Sequence, residues 1–287
     1  MVRAGGKVLG RVSALLAGAA ATRVTYTALR SRPPGGAVRW ERENHSGRTV
    51  HLHAGLATAA GTALAAATAP GLPARVRTAA ALAVLAAGSC GAYDDVFGAG
   101  DPRRGFRAHL SALRDGEVTS GAVKLFGIGA AGLAAGALLQ ERAADKLLAG
   151  VVIAGSAHLV NLLDVRPGRA AGAVLALGTP GLLRSGPAGP LSAAPVGAVA
   201  AVVGDDMGER TMLGDAGAHA LGAALGLAVV AAWGSPRAWG SPRASGAERG
   251  GGAGSGGGRT GLAAHAVGLV AAAAAGDRVS RAAAAGF

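Results

Sequence analysis

The stretch "TMLGDAGAHALGAALGLAVVAAW", Thr211 to Trp233, decides how the rest of the chain is read. A single carboxylate, Asp215, stands among glycines and alanines, and the apolar run 216–233 follows it. That run approaches the ~20 residues a helix needs to cross a bilayer. Just upstream stand Glu209, Asp206 and Asp205, so four acids gather at the mouth of what reads as a membrane helix. Charge is costly beside hydrocarbon, so acids at such a place mark either a site or a polar helix end.

Composition agrees with a membrane protein. Hydrophobic residues make up 51% of the 287 and charged residues only 15%, against about a quarter in an ordinary soluble domain; mean hydropathy is +0.38. The apolar mass is Ala, Val, Leu and Gly, since aromatics are just 3%. One cysteine, Cys90, excludes an intramolecular disulfide and any CxxC metal site and reads as a small buried thiol. The net charge of +12 invites nucleic acid. Its arginines, however, sit in short links between apolar runs, where membrane proteins meet head groups and cytoplasm. There is no zinc-finger spacing and no aromatic-basic strip, so nucleic-acid binding is rejected.

Apolar runs fall at about 8–29, 50–70, 76–93, 121–139, 147–163, 170–184, 190–204, 216–233 and 260–275. The first imitates a signal peptide but reads as an uncleaved helix, because so many apolar runs follow it. Small residues recur at helical spacing, as at Gly132 and Gly136 or Gly127 and Ala131, which lets helices approach closely in lipid. The expectation is an all-α, polytopic membrane bundle of about nine transmembrane helices, one domain over 1–287. Within it, 234–259 carries "WGSPRA" twice and then a glycine tract, and reads as a low-complexity, flexible loop.

Alternation assigns sides. If 30–49 lies on one side, 94–120, 164–169, 205–215 and the C-terminal tail share it. That side holds Arg30, Arg32, Arg39, Arg42, Arg48, Arg103, Arg104, Arg107 and Arg114, which makes it cytoplasmic. Of the 16 acids, all but Glu141, Asp145 and Glu248 fall there as well.

Three motifs on that side could carry chemistry. Asp94-Asp95 ends the third run, and paired carboxylates suit Mg²⁺ or a base, or form a polar stop. Asn161 and Asp164 are one helical turn apart, so they share a face; Asn can both donate to and accept from a nucleobase or sugar edge. The cluster Asp205, Asp206, Glu209 and Asp215 would repel itself unless a cation sits among it, since Arg210 offsets one charge only. Asp215 could equally cap its helix. A rival pattern, GxGxxG at Gly127, Gly129 and Gly132, imitates a dinucleotide-binding turn and keeps a nucleotide-binding oxidoreductase as a remote alternative.

Taken in order, these motifs resemble the polyprenyl-phosphate N-acetylhexosamine-1-phosphate transferase superfamily. "MLGDAGAHALGA" is similar to the family's Gly-Asp-x-Gly-Ser pattern and carries its metal-binding aspartate onto Asp215. "YDD" resembles the family's Asp-Asp pair at Asp94 and Asp95. "NLLDVRPGRA" resembles its Asn-x-x-Asp-Gly-x-Asp-Gly segment at Asn161 and Asp164, and Lys124 matches a phosphate-meeting lysine. The resemblance implies transfer of a sugar 1-phosphate from a UDP-sugar to a polyprenyl phosphate, releasing UMP, in cell-envelope glycan synthesis. It implies Asp94 or Asp95 as catalytic groups, Asn161, Asp164 and Lys124 for nucleotide and phosphate, and Mg²⁺ (or Mn²⁺) on Asp215. The implied partners are the lipid, the UDP-sugar and the membrane, with a homodimer allowed. The implied place is the bacterial plasma membrane, with the active site facing the cytoplasm. The chain departs from the family at Val165, Pro167 and Ala218, and no His-rich loop follows the ninth run. These departures motivate an alternative, a catalytically degenerate relative acting as a membrane scaffold or regulator.

Overall fold

Every apolar run becomes a helix in the computed structural model, which describes residues 2–44, 46–101, 103, 106–233 and 254–284. The long elements are α1 (Val2–Ser31), α2 (His53–Thr68), α3 (Ala74–Phe97), α5 (Ser120–Leu139), α6 (Ala143–Leu163), α7 (Arg169–Leu182), α8 (Ala188–Ala200), α10 (Gly214–Trp233) and α11 (Gly254–Ala284). Two short helices lie in the links, α4 (Phe106–Arg114) and α9 (Val203–Met207). A small antiparallel hairpin, β1 (Glu41–Glu43) with β2 (Thr49–His51), pairs Glu41 with His51. The all-α expectation is met. Among the described residues four helices, α3, α5, α6 and α10, are long and apolar enough to cross a membrane. At 16, 14 and 13 residues, α2, α7 and α8 are shorter than a full crossing. Residues 234–253 of the repeat-bearing loop lie outside the described residues, and 254–259 form the first turns of α11.

The opening stretch supplies the centre. α10 packs against α2, α3, α6 and α8 and also touches α7 and α11; most of its residues are buried, including all of 216–228. With apolar side chains this short, cohesion depends on backbones approaching closely. A Cβ at Gly91 of α3 would lie 2.3 Å from the Asp215 carbonyl oxygen, and one at Gly217 of α10 would lie 2.7 Å from the Gly55 Cα of α2. Both contacts exist only because those positions carry no side chain. Gly132 and Gly136 face Gly150 of α6 in the same way, and Gly127 makes room for the Cys90 sulfur. The GxGxxG match therefore lies inside a single helix, α5, rather than on the strand, turn and helix a dinucleotide-binding turn requires.

Contacts sort the links between helices to two ends. At one end Arg42 of β1 donates to the Asp95 carbonyl, Asn44 donates to Glu209 at 2.8 Å, and Gly168 N–H donates to Asp206 at 2.8 Å. At the other, Arg259 pairs with Asp145 at 2.8 Å and Arg184 lies over the Trp233 ring. The hairpin is tied to the segment before α10: Met212 N–H and the Thr211 hydroxyl both donate to the His51 carbonyl, at 3.0 and 2.6 Å.

Candidate functional site

Asp94 ends up in the last turn of α3 because that helix runs on through "YDD" to Phe97. Lys124 lies in the first turn and a half of α5, whose start is set by Thr119: its side chain accepts the Ala122 N–H at 3.0 Å. These two helix ends meet the start of α10. The Lys124 ammonium donates to Asp94 Oδ2 at 2.5 Å and to Asp215 Oδ2 at 2.6 Å. Asn161 lies in the last turn of α6. Three helix ends thus bring one charged group each to one point.

Asp95 is adjacent but differently employed. Its two carboxylate oxygens accept the backbone N–H groups of Asp215 and Ala216 at 3.0 and 2.9 Å. Those donors belong to the first turn of α10, where no intrahelical acceptor exists, and the positive end of the helix dipole favours a carboxylate. Gly214, at φ 57, gives the backbone the left-handed turn that aims those N–H groups at Asp95.

Asp164 follows the last turn of α6. It shares a pocket with Asp206, lined also by Asn44, Val165, Arg166, Pro167, Thr211 and Met212. Burial, and then the charges of Asp206, Asp215 and Asp95, raise the Asp164 carboxyl well above the usual carboxylate range. Burial also raises Asp206, partly offset by the Gly168 N–H. Asp205 moves the other way: burial opposes ionisation, but Arg23 at 2.6 Å and Arg210 at 2.9 Å hold its carboxyl below the ordinary value.

The expectation that the acid cluster needs a cation is therefore corrected for three of its four members. Asp205 is held by Arg23 and Arg210, Asp206 by a backbone N–H, and Glu209 by Asn44 and Arg48. Asp215 alone joins the centre with Lys124. Two histidines there escaped the reading of the sequence. His219 is completely buried, and its Nδ1 lies 2.7 Å from the Asp215 carbonyl. His158 stands edge-on to it, with ring centroids 5.3 Å apart. Helical spacing was the available signal: His219 is four residues after Asp215, and His158 three before Asn161.

Among the described residues no three His, Cys, Asp or Glu side chains cage a metal by themselves. Asp94 and Asp215 do present two hard oxygen donors across a space that already holds one cation, the Lys124 ammonium. Such a donor pair fits Mg²⁺, which binds through one or two carboxylates and draws its other ligands from water and substrate phosphates. No family model matches the chain, and no curated protein matches it either.

Proposed function

We propose that the chain is an integral membrane phosphoglycosyl transferase, moving a sugar 1-phosphate from a UDP-sugar to a polyprenyl phosphate and releasing UMP. The observation that carries this reading is the meeting of Asp94, Lys124 and Asp215, delivered by α3, α5 and α10 to one end of the bundle. All three come from segments that resemble the family's motifs.

In this reaction an oxygen of the lipid phosphate attacks the phosphorus that carries the sugar. The bond from that phosphorus to the bridging oxygen breaks, and UMP leaves with its electron pair. Such transfer depends on positioning and charge stabilisation more than on covalent help. Lys124 neutralises phosphate charge, Asp94 positions the lipid phosphate, and Asn161 and Asp164 orient the nucleotide beside the Asp164–Asp206 pocket. Asp95 holds α10, and hence Asp215, in register. Mg²⁺ on Asp215 and Asp94 would supply further neutralisation of the diphosphate.

The reading places the site at the cytoplasmic face of a bacterial plasma membrane, where a water-soluble donor and a lipid acceptor meet. The shorter helices and the long α1 and α11 then join the four apolar ones to complete about nine crossings. Detergent-purified protein incubated with radiolabelled UDP-N-acetylhexosamine, undecaprenyl phosphate and Mg²⁺ should give a labelled lipid and UMP. No such product from any UDP-sugar would replace this reading with that of a degenerate scaffold, which Lys124 closing the space between the carboxylates favours.

A further inference from the structure

The His219 ring has a fixed proton. Its Nδ1 faces a backbone carbonyl, which can only accept, so Nδ1 carries the hydrogen. Nε2 of the neutral ring is then a bare acceptor. It is buried and has no hydrogen-bond partner among the described residues. A buried acceptor without a donor is costly, so such an atom points to a donor that reaches it in another state of the site.

Lys124 is the donor at hand. Its ammonium bridges Asp94 and Asp215, one turn of α10 away. Helical side chains lean toward the helix N-terminus, which tilts the His219 ring toward the turn that carries Asp215. Any divalent cation bound by Asp94 and Asp215 displaces the ammonium from between them. A displaced ammonium at this largely buried end of the bundle gains from an acceptor close by.

We propose that His219 Nε2 is the acceptor that receives the Lys124 ammonium when a divalent cation takes its place between Asp94 and Asp215, which makes His219 a positioning residue for cation exchange at the site. His158 packs edge-on against that ring. The proposal rests on the reading of Asp94 and Asp215 as cation ligands. It goes beyond that reading by giving Lys124 two positions and His219 a role.

The test measures Mn²⁺ affinity of the detergent-solubilised full chain by electron paramagnetic resonance of the free ion, with no substrate present. His219→Leu, similar in size and without an acceptor, should weaken Mn²⁺ binding about tenfold, as expected for one lost hydrogen bond to a charged group. His219→Gln restores an acceptor and should bind within about twofold of the native chain. Lys124→Met removes the competing ammonium and should tighten binding; adding His219→Leu to it should then change nothing. His219→Leu binding Mn²⁺ as tightly as the native chain overturns the role of His219, as does an equal loss in the Lys124→Met background. If Lys124→Met fails to fold, the Leu and Gln variants alone decide. No Mn²⁺ binding by the native chain or by Lys124→Met overturns the cation reading itself, and this inference with it.

Discussion

The Asp95 carboxylate accepts the backbone N–H of Asp215 at 3.0 Å, so two adjacent acids on α3 do different work. Asp94 faces the Lys124 ammonium, whereas Asp95 closes the first turn of α10. Replacing each should separate stability from activity. Asp95→Ala should lower unfolding stability by about 1–2 kcal/mol, the range for losing a helix-capping acceptor. Asp94→Asn should lower transferase activity by about 100-fold, the scale of losing one positioned charged group, while shifting the melting temperature less than Asp95→Ala. Thermal unfolding in detergent, set beside the labelled-lipid assay, checks both. Equal loss of stability in the two variants would contradict the division of roles.

Gly91 gives a second separation. A Cβ there would press on the Asp215 carbonyl at 2.3 Å, and backbone atoms in a packed helix pair cannot move aside cheaply. Gly91→Ala should therefore force α3 away from α10 and cost about 1–3 kcal/mol, the usual range for overpacking. It should also disturb the site, because the same contact aligns Asp94 with Asp215. Gly129→Ala on α5 is the control, since a Cβ there meets nothing within 4 Å; it should be neutral or slightly stabilising, as alanine favours helix over glycine. The melting temperatures of the two variants should move in opposite directions or differ by several degrees.

How much of this was legible in the sequence follows the range of the interactions. The helices α3, α5, α6 and α10 announced themselves, because a long apolar run can satisfy its backbone in lipid only as a helix. The short α4 and α9 and the hairpin over 41–51 were not foreseen, since they lie in polar links without a long period. Asp94, Lys124 and Asp215 were found as motifs, but their meeting depends on helix packing between distant segments. The acids at 205–209 looked self-repelling because their partners Arg23, Asn44 and Arg48 lie far upstream. Asp95 looked like half of a catalytic pair because its cap target is 120 residues away. His219 was within reach, since the spacing that defines a helix face also placed it under Asp215.

The pocket acids carry the last prediction, on pH. Asp164 has a carboxyl raised well above its usual value by burial and by neighbouring acids. Its folded form therefore holds a proton that the unfolded chain has already released, and the linkage relation makes stability fall as pH rises through that interval. Below the ordinary carboxylate value of about 3.9 both states are protonated and the penalty vanishes. Asp164→Asn removes the ionisable group while keeping a polar side chain of similar shape. It should raise the melting temperature at pH 7, with the gain shrinking toward zero as pH falls to about 4. Asp205, held below its usual value by Arg23 and Arg210, has the opposite sign. Its stabilising contribution is present above the unfolded value and is lost as pH falls through the lower folded one. Asp205→Asn should therefore lower the melting temperature at pH 7, and the two variants should converge on the native chain in acid from opposite sides. Melting curves of the three proteins from about pH 2 to 8 make the comparison, because the Asp205 contribution is lost only below the ordinary carboxylate value of about 3.9. An Asp164→Asn variant less stable than the native chain at pH 7 would show that its carboxylate is stabilised there by a partner such as a bound cation.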